Sequence, residues 1–229
     1  MLLACYDRLI RLLCSEQKIK GLPLFYSKEI VAVTILASAL TGCEPSARDS
    51  TAPDVEGGIG AQTANSLATL SYASNTVTHH DAAGRVKVDV SSAWSEDGLL
   101  VIRGIFTPDD AGYHLYSSAL AKTGVGGIGR PTLIEVSDVA LIQEIGPLVS
   151  SEKAVDHHDD VLDMTFPIYP DGPVTVYLPL RLNSAPKTPT QIPVKITYMS
   201  CSKANCNVPI EGDVAEITVP APEGAALER

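Results

Sequence analysis

The sequence predicts an all-β protein, an immunoglobulin-like antiparallel β-sandwich over residues 84–222. The first observation behind this is a series of short β-branched runs at 86–90, 99–106, 113–117, 132–136, 161–166, 174–182, 192–198 and 215–219. The second is the turn chemistry between them, Asp97-Gly98, Pro108-Asp109-Asp110, Pro170-Asp171-Gly172 and Ser184-Ala185-Pro186. The third is that Pro and Gly recur too often for long helices, and short strands at this spacing close best as two packed antiparallel sheets.

Ahead of that domain, residues 1–42 read as a lipoprotein signal peptide. Residues 30–40 are an uncharged apolar run preceded by Lys18, Lys20 and Lys28 and followed by Leu40-Thr41-Gly42-Cys43. Eleven residues fall short of the roughly 20 that a membrane span needs. The Leu-Thr-Gly-Cys ending resembles a bacterial lipobox, which makes Cys43 the lipidation residue and an acyl chain the membrane anchor; a plain secretory signal is the alternative. Residues 43–83, rich in Ser, Thr, Ala, Gly and Asn without a sustained period, read as a flexible tether with room for one short strand at 66–72.

Within the domain, 86–90 alternates as a half-buried strand should, Val86, Val88 and Val90 against Lys87 and Asp89. The runs 99–106 and 113–117 follow the Asp97-Gly98 and Pro108-Asp109-Asp110 turns. Gly124-Val125-Gly126-Gly127-Ile128-Gly129 fits a dinucleotide-binding pattern literally, but Arg130-Pro131 leads into the strand at 132–136 rather than a crossover helix, so a loop is expected. The runs 161–166 and 174–182 flank Pro170-Asp171-Gly172. Residues 192–198 alternate again, Val194, Ile196 and Tyr198 against Lys195 and Thr197, and run directly into Cys201; 215–219 closes the domain and 223–229 is a tail.

Charge and cysteine usage narrow the function. The first 42 residues hold five of the 17 basic and three of the 27 acidic side chains, so without them the net charge falls from −10 to −12. Such a surface disfavours phosphate backbones and anionic lipid, and no nucleic-acid partner is expected. With Cys5 and Cys14 gone with the signal and Cys43 acylated, Cys201 and Cys206 are an isolated pair in an oxidising compartment. Their spacing permits a bond around a short loop, a poor stability device and a good candidate for one that is made and broken. Lys203 between them favours thiolate, while the surrounding acidity opposes it.

His79-His80-Asp81, His157-His158-Asp159-Asp160 and His114 offer imidazole and carboxylate, but neighbouring side chains on a strand diverge, and solvated loops with no metal are the expectation. No serine sits in a Gly-x-Ser-x-Gly elbow. Trp94 and Tyr113 read as core or edge aromatics.

The segment Thr197-Tyr198-Met199-Ser200-Cys201-Ser202-Lys203-Ala204-Asn205-Cys206-Asn207-Val208-Pro209 resembles the closing segment of the amino-terminal periplasmic domain of DsbD, with its Tyr-x-x-Cys and Cys-x-x-Pro. Gly112-Tyr113-His114-Leu115-Tyr116-Ser117 resembles that family's Gly-aromatic-x-x-Tyr strand, and the likeness covers residues 85–220. It implies a thiol-disulfide exchange module on the periplasmic face of a bacterial membrane, inner or outer. Cys206 would attack and Cys201 resolve, with no cofactor and with thioredoxin-like or membrane-embedded thiol oxidoreductases as partners. It also implies a cap loop over the pair at 157–163, with Asp160, Leu162 and Asp163 as its residues; Leu162 stands where the family carries an aromatic. No membrane electron carrier or Cys-x-x-Cys follows, so the domain is expected to depend on partner proteins for turnover. A different class remains open, a non-catalytic immunoglobulin-like binding lipoprotein whose disulfide is structural.

Overall fold

The computed structural model describes residues 58–136 and 139–222. The expected signal peptide at 1–42, Cys43, the first part of the expected tether and residues 223–229 lie outside the described residues. Among the described residues no helix is long and apolar enough to cross a membrane.

Two antiparallel sheets share one core. The larger contains β1 (Val77–Asp81), β2 (Val86–Trp94), β3 (Leu100–Pro108), β10 (Val174–Leu182) and β6 (Ile142–Ile145) in that order, with β7 (Val149–Ser150) also paired to β10. The smaller has β11 (Thr190–Tyr198) between β13 (Ile210–Val219) and β5 (Leu133–Val136). The alternation read from the sequence sets which face goes inward. Val86, Val88 and Val90 meet Val174, Val176 and Leu180 on one side, and Ile192, Val194, Ile196 and Tyr198 close from the other. Phe106 packs edge-on against Tyr198 at 5.9 Å, the offset geometry that aromatic quadrupoles favour.

Several boundaries differ from expectation. Residues 59–83 are not all tether. Thr63 caps a short helix, α1 (Ala64–Ala68), through a reciprocal pair with Ser66, so a helix stands where a strand at 66–72 was allowed. Leu67 is buried against Val101 and Tyr177 on the outer face of the large sheet. Tyr72 lies beneath the Arg103 guanidinium, 3.8 Å from its ring centre. β1 then forms a hairpin with β2 whose turn is held by Asp81, its Oδ1 accepting from the backbone N–H groups of Ala83 and Gly84 at 2.8 and 3.0 Å. Those two bonds hold the Asp81 carboxyl below its usual value.

The run at 161–166 is a second correction. It is the tip and return of a hairpin, β8 (Val155–Asp159) and β9 (Met164–Ile168). Asp159 Oδ1 accepts from the N–H groups of Val161 and Leu162 at 2.9 and 3.0 Å, and Asp163 takes a positive φ of 52°. A side-chain carboxylate that captures the backbone two residues on builds a turn in place of a strand ladder.

The bulge between Ile196 and Thr197 positions the site. Gly212 on β13 adopts φ 72° and its N–H bonds Thr197 Oγ1 at 3.1 Å. Beyond that kink the chain leaves the small sheet after Tyr198 and forms β12 (Ser200–Cys201) against β4 (His114–Leu115).

Candidate functional site

Cys201 and Cys206 are joined by a disulfide, with Cα atoms 4.0 Å apart. The two ends are unequal. Cys201 is 2% exposed, whereas Cys206 lies on the surface. Ser200, Cys201 and Asn207 sit in a hydrogen-bonded frame: Asn207 N–H donates to Ser200 O, and Asn207 Nδ2 to Ser200 Oγ, both at 2.9 Å. The loop between the cysteines closes on itself. Ser202 N–H donates to Asn205 O at 2.8 Å, Ser202 Oγ accepts from the N–H groups of Ala204 and Asn205, and Tyr113 Oη donates to Asn205 Oδ1 at 2.9 Å. The loop geometry therefore has its own bonds besides the sulfur bridge. In the chain-entropy view a closed loop this small gains about 2 kcal/mol from its disulfide.

Cys201 rests on a small apolar cluster with Tyr116, Leu120 and Phe166, separate from the sandwich core. Tyr116 stacks edge-on against Phe166 at 5.6 Å and brings its Oη within 3.2 Å of Cys201 Sγ. Burial, then the Asp159 carboxylate, push the Tyr116 phenol up, so it stays protonated and donates to the sulfur. The Gly-rich segment forms the floor of this cluster as a tight turn. Val125 and Ile128 pair, Gly126 and Gly127 have positive φ, and a Cβ on Gly126 would stand 2.8 Å from Met164 Cε. The segment is a loop, as expected, and its glycines serve a close packing approach.

Across the disulfide opens a groove of ≈ 460 Å³ whose walls include His114, His157, Leu162, Lys203 and both cysteines. The β8–β9 hairpin forms one wall. Asp160 and Leu162 reach the groove, Leu162 being 38% exposed and its neighbour Val161 94%. Asp160 and Asp163 stand 3.6 and 3.7 Å from His158 with both carboxylates in solvent, and Asp163 does not line the groove. His114, which the sequence offers only as a third imidazole beside the two acidic clusters, belongs to this groove. It is the cross-strand partner of Cys201, its ring 6.1 Å from that of His157 and 3.9 Å from Asp171 Oδ1. Burial lowers the His114 imidazole below its ordinary value, Asp171 opposes that and His157 adds to it.

The other acidic histidine cluster divides. His80 pairs with Asp109 at 2.9 Å while His79 lies 3.6 Å from Asp213. Among the described residues no three His, Cys, Asp or Glu side chains converge on a metal-sized site. Trp94, half-buried at the end of β2, donates to Pro220 O at 2.9 Å.

The fold resembles two solved N-terminal domains. One is the N-terminal periplasmic domain of ScsB from Proteus mirabilis, 16% identical with a TM-score of 0.42, over 67% of this chain and 55% of that one. The other is the DsbD N-terminal domain of Neisseria meningitidis in the reduced form, 17% identical with a TM-score of 0.33, over 52% of this chain and 76% of that one. No family model matches the chain, and no curated protein does.

Proposed function

We propose that the domain is an extracytoplasmic thiol-disulfide exchange module that passes reducing equivalents through Cys201 and Cys206 between a membrane-embedded or thioredoxin-like donor and further oxidoreductases. One observation carries the reading, the asymmetry of the bond. Cys206 offers an exposed sulfur at the edge of a groove, while Cys201 is withheld beneath it, in a loop with its own hydrogen bonds. Attack from a partner is thereby directed to one sulfur, and opening the bond leaves the local fold supported.

In this reading Cys206 is the attacking thiol and Cys201 the resolving one. Leu162 and Asp160 on the hairpin tip cap the groove at rest, with Asp163 shaping the turn. The apolar side chains exposed at the rim, Val161 and Leu162, suit a partner's apolar surface. Delivery to the periplasm by the signal at residues 1–42 and tethering through an acyl chain on Cys43 supply the compartment in which such a bond forms.

The burial of Cys201 also suits a second reading, a binding lipoprotein with a structural disulfide. A trapping experiment separates the two. Reduced Cys201→Ser domain, mixed with an oxidised thioredoxin-like protein, accumulates a mixed disulfide through Cys206, because the resolving thiol is absent. No adduct under conditions where thioredoxin-like proteins exchange with each other would rule the relay out.

A further inference from the structure

His114 stands in a position that the disulfide chemistry described so far does not use. It faces Cys201 directly across the β4–β12 pair, and side chains directly opposite on an antiparallel pair have Cβ atoms about 5 Å apart on one face. Both residues line the same groove. The imidazole is largely enclosed, its side chain 12% exposed, and its ring stands edge-on to Tyr116 at 5.9 Å.

Resting on the relay reading above, we infer that His114 accepts the proton of the Cys201 thiol when the reduced pair hands its electrons on. In that step Cys206 is already in a mixed disulfide with the acceptor. The Cys201 S–H bond breaks and an N–H bond forms on His114. The Cys201 sulfur then bonds to Cys206 Sγ, the bond from Cys206 to the acceptor's sulfur breaks, and the acceptor leaves as a thiolate. The imidazolium returns its proton to that thiolate or to water. Two electrons pass to the acceptor disulfide and the domain is left oxidised.

A buried thiol needs such a base. Even an unperturbed cysteine near pKa 8.5 is only about 3% thiolate at pH 7, and burial in an apolar cluster disfavours the charge further. Tyr116 approaches the sulfur closely, but burial holds it protonated, so it can hydrogen-bond the thiol without taking up its proton. Burial keeps His114 neutral at that pH, as a base must be. The groups that bear on it are Asp171 after β9, His157 on β8, Tyr116 beside it and Cys201 on β12, with His158, Asp159, Asp160 and Lys203 elsewhere on the groove wall.

The test uses reduced domain and a small aromatic disulfide, 5,5′-dithiobis(2-nitrobenzoate), in stopped flow. The first coloured thiolate reports attack by Cys206, the second reports closure by Cys201. His114→Gln should leave the first phase unchanged and slow the second about tenfold or more at pH 7. The gap should shrink as rising pH lets hydroxide ionise Cys201. Asp171→Asn, at an exposed turn, removes the carboxylate that opposes the lowering of His114; the rise of closure rate with pH should then move to lower pH, which gives a second readout should His114→Gln fold poorly. An unchanged second phase in His114→Gln, or an unmoved profile in Asp171→Asn, overturns the role of His114 and leaves the relay standing. A wild-type domain whose thiols do not react overturns both.

Discussion

Cys206→Ser should abolish electron transfer through the domain while lowering its stability by no more than about 2 kcal/mol. The two halves of that expectation have separate causes. Function is lost because Cys206 offers the exposed sulfur, and Cys201, 2% exposed beneath the β8–β9 hairpin, cannot be reached in its place. Stability is largely kept because a serine at a surface position buries nothing new, and Ser202, Asn205 and Asn207 hold the loop through their own hydrogen bonds. Urea titrations of wild type and variant, beside a single-turnover assay with a reduced thioredoxin-like donor, measure both. A variant that unfolds at low denaturant would make the bond a staple.

Phe106→Ala is expected to have the largest effect on the fold, about 3–5 kcal/mol. Phe106 is fully buried on β3, between the sheets, edge-on to Tyr198 and close to Gly104, where a Cβ would meet its ring at 3.1 Å. Removing the ring forfeits its transfer free energy and leaves a cavity in a core too well packed to collapse onto it. Since single domains are stable by only about 5–15 kcal/mol, this change takes a large share of the total. It should appear as a lower urea midpoint with an unchanged slope. Tyr198 leads into Ser200 and Cys201, so the same cavity should also loosen the site. A loss under 1 kcal/mol would mean that the two sheets do not share the core described.

The sandwich was legible wherever side chains alternate. The patterns Val86, Val88, Val90 and Val194, Ile196, Tyr198 report a period of two directly, and those strands lie where the alternation put them. The pairing of Cys201 with Cys206 followed from their isolation. What the sequence concealed depends on contacts between distant residues. Leu67 and Tyr72 look like stray apolar residues in a polar stretch until the outer face of β3 and β10 is there to receive them. Val161 and Leu162 look like a strand opening because apolar residues there follow acidic ones. Only the capture of their N–H groups by Asp159 reveals the turn. His114 beside Cys201 is a product of strand pairing across 86 intervening residues, which no local pattern carries.

The central claim, that the Cys201–Cys206 bond is exchanged rather than merely held, is tested most directly by its reduction potential. The domain is equilibrated in glutathione buffers of graded ratio, free thiols are trapped, and the oxidised fraction is fitted. The expected value lies well above about −300 mV, within the range of bonds that partner proteins reduce and reform. A value below about −300 mV would contradict it and assign the bond to structure alone.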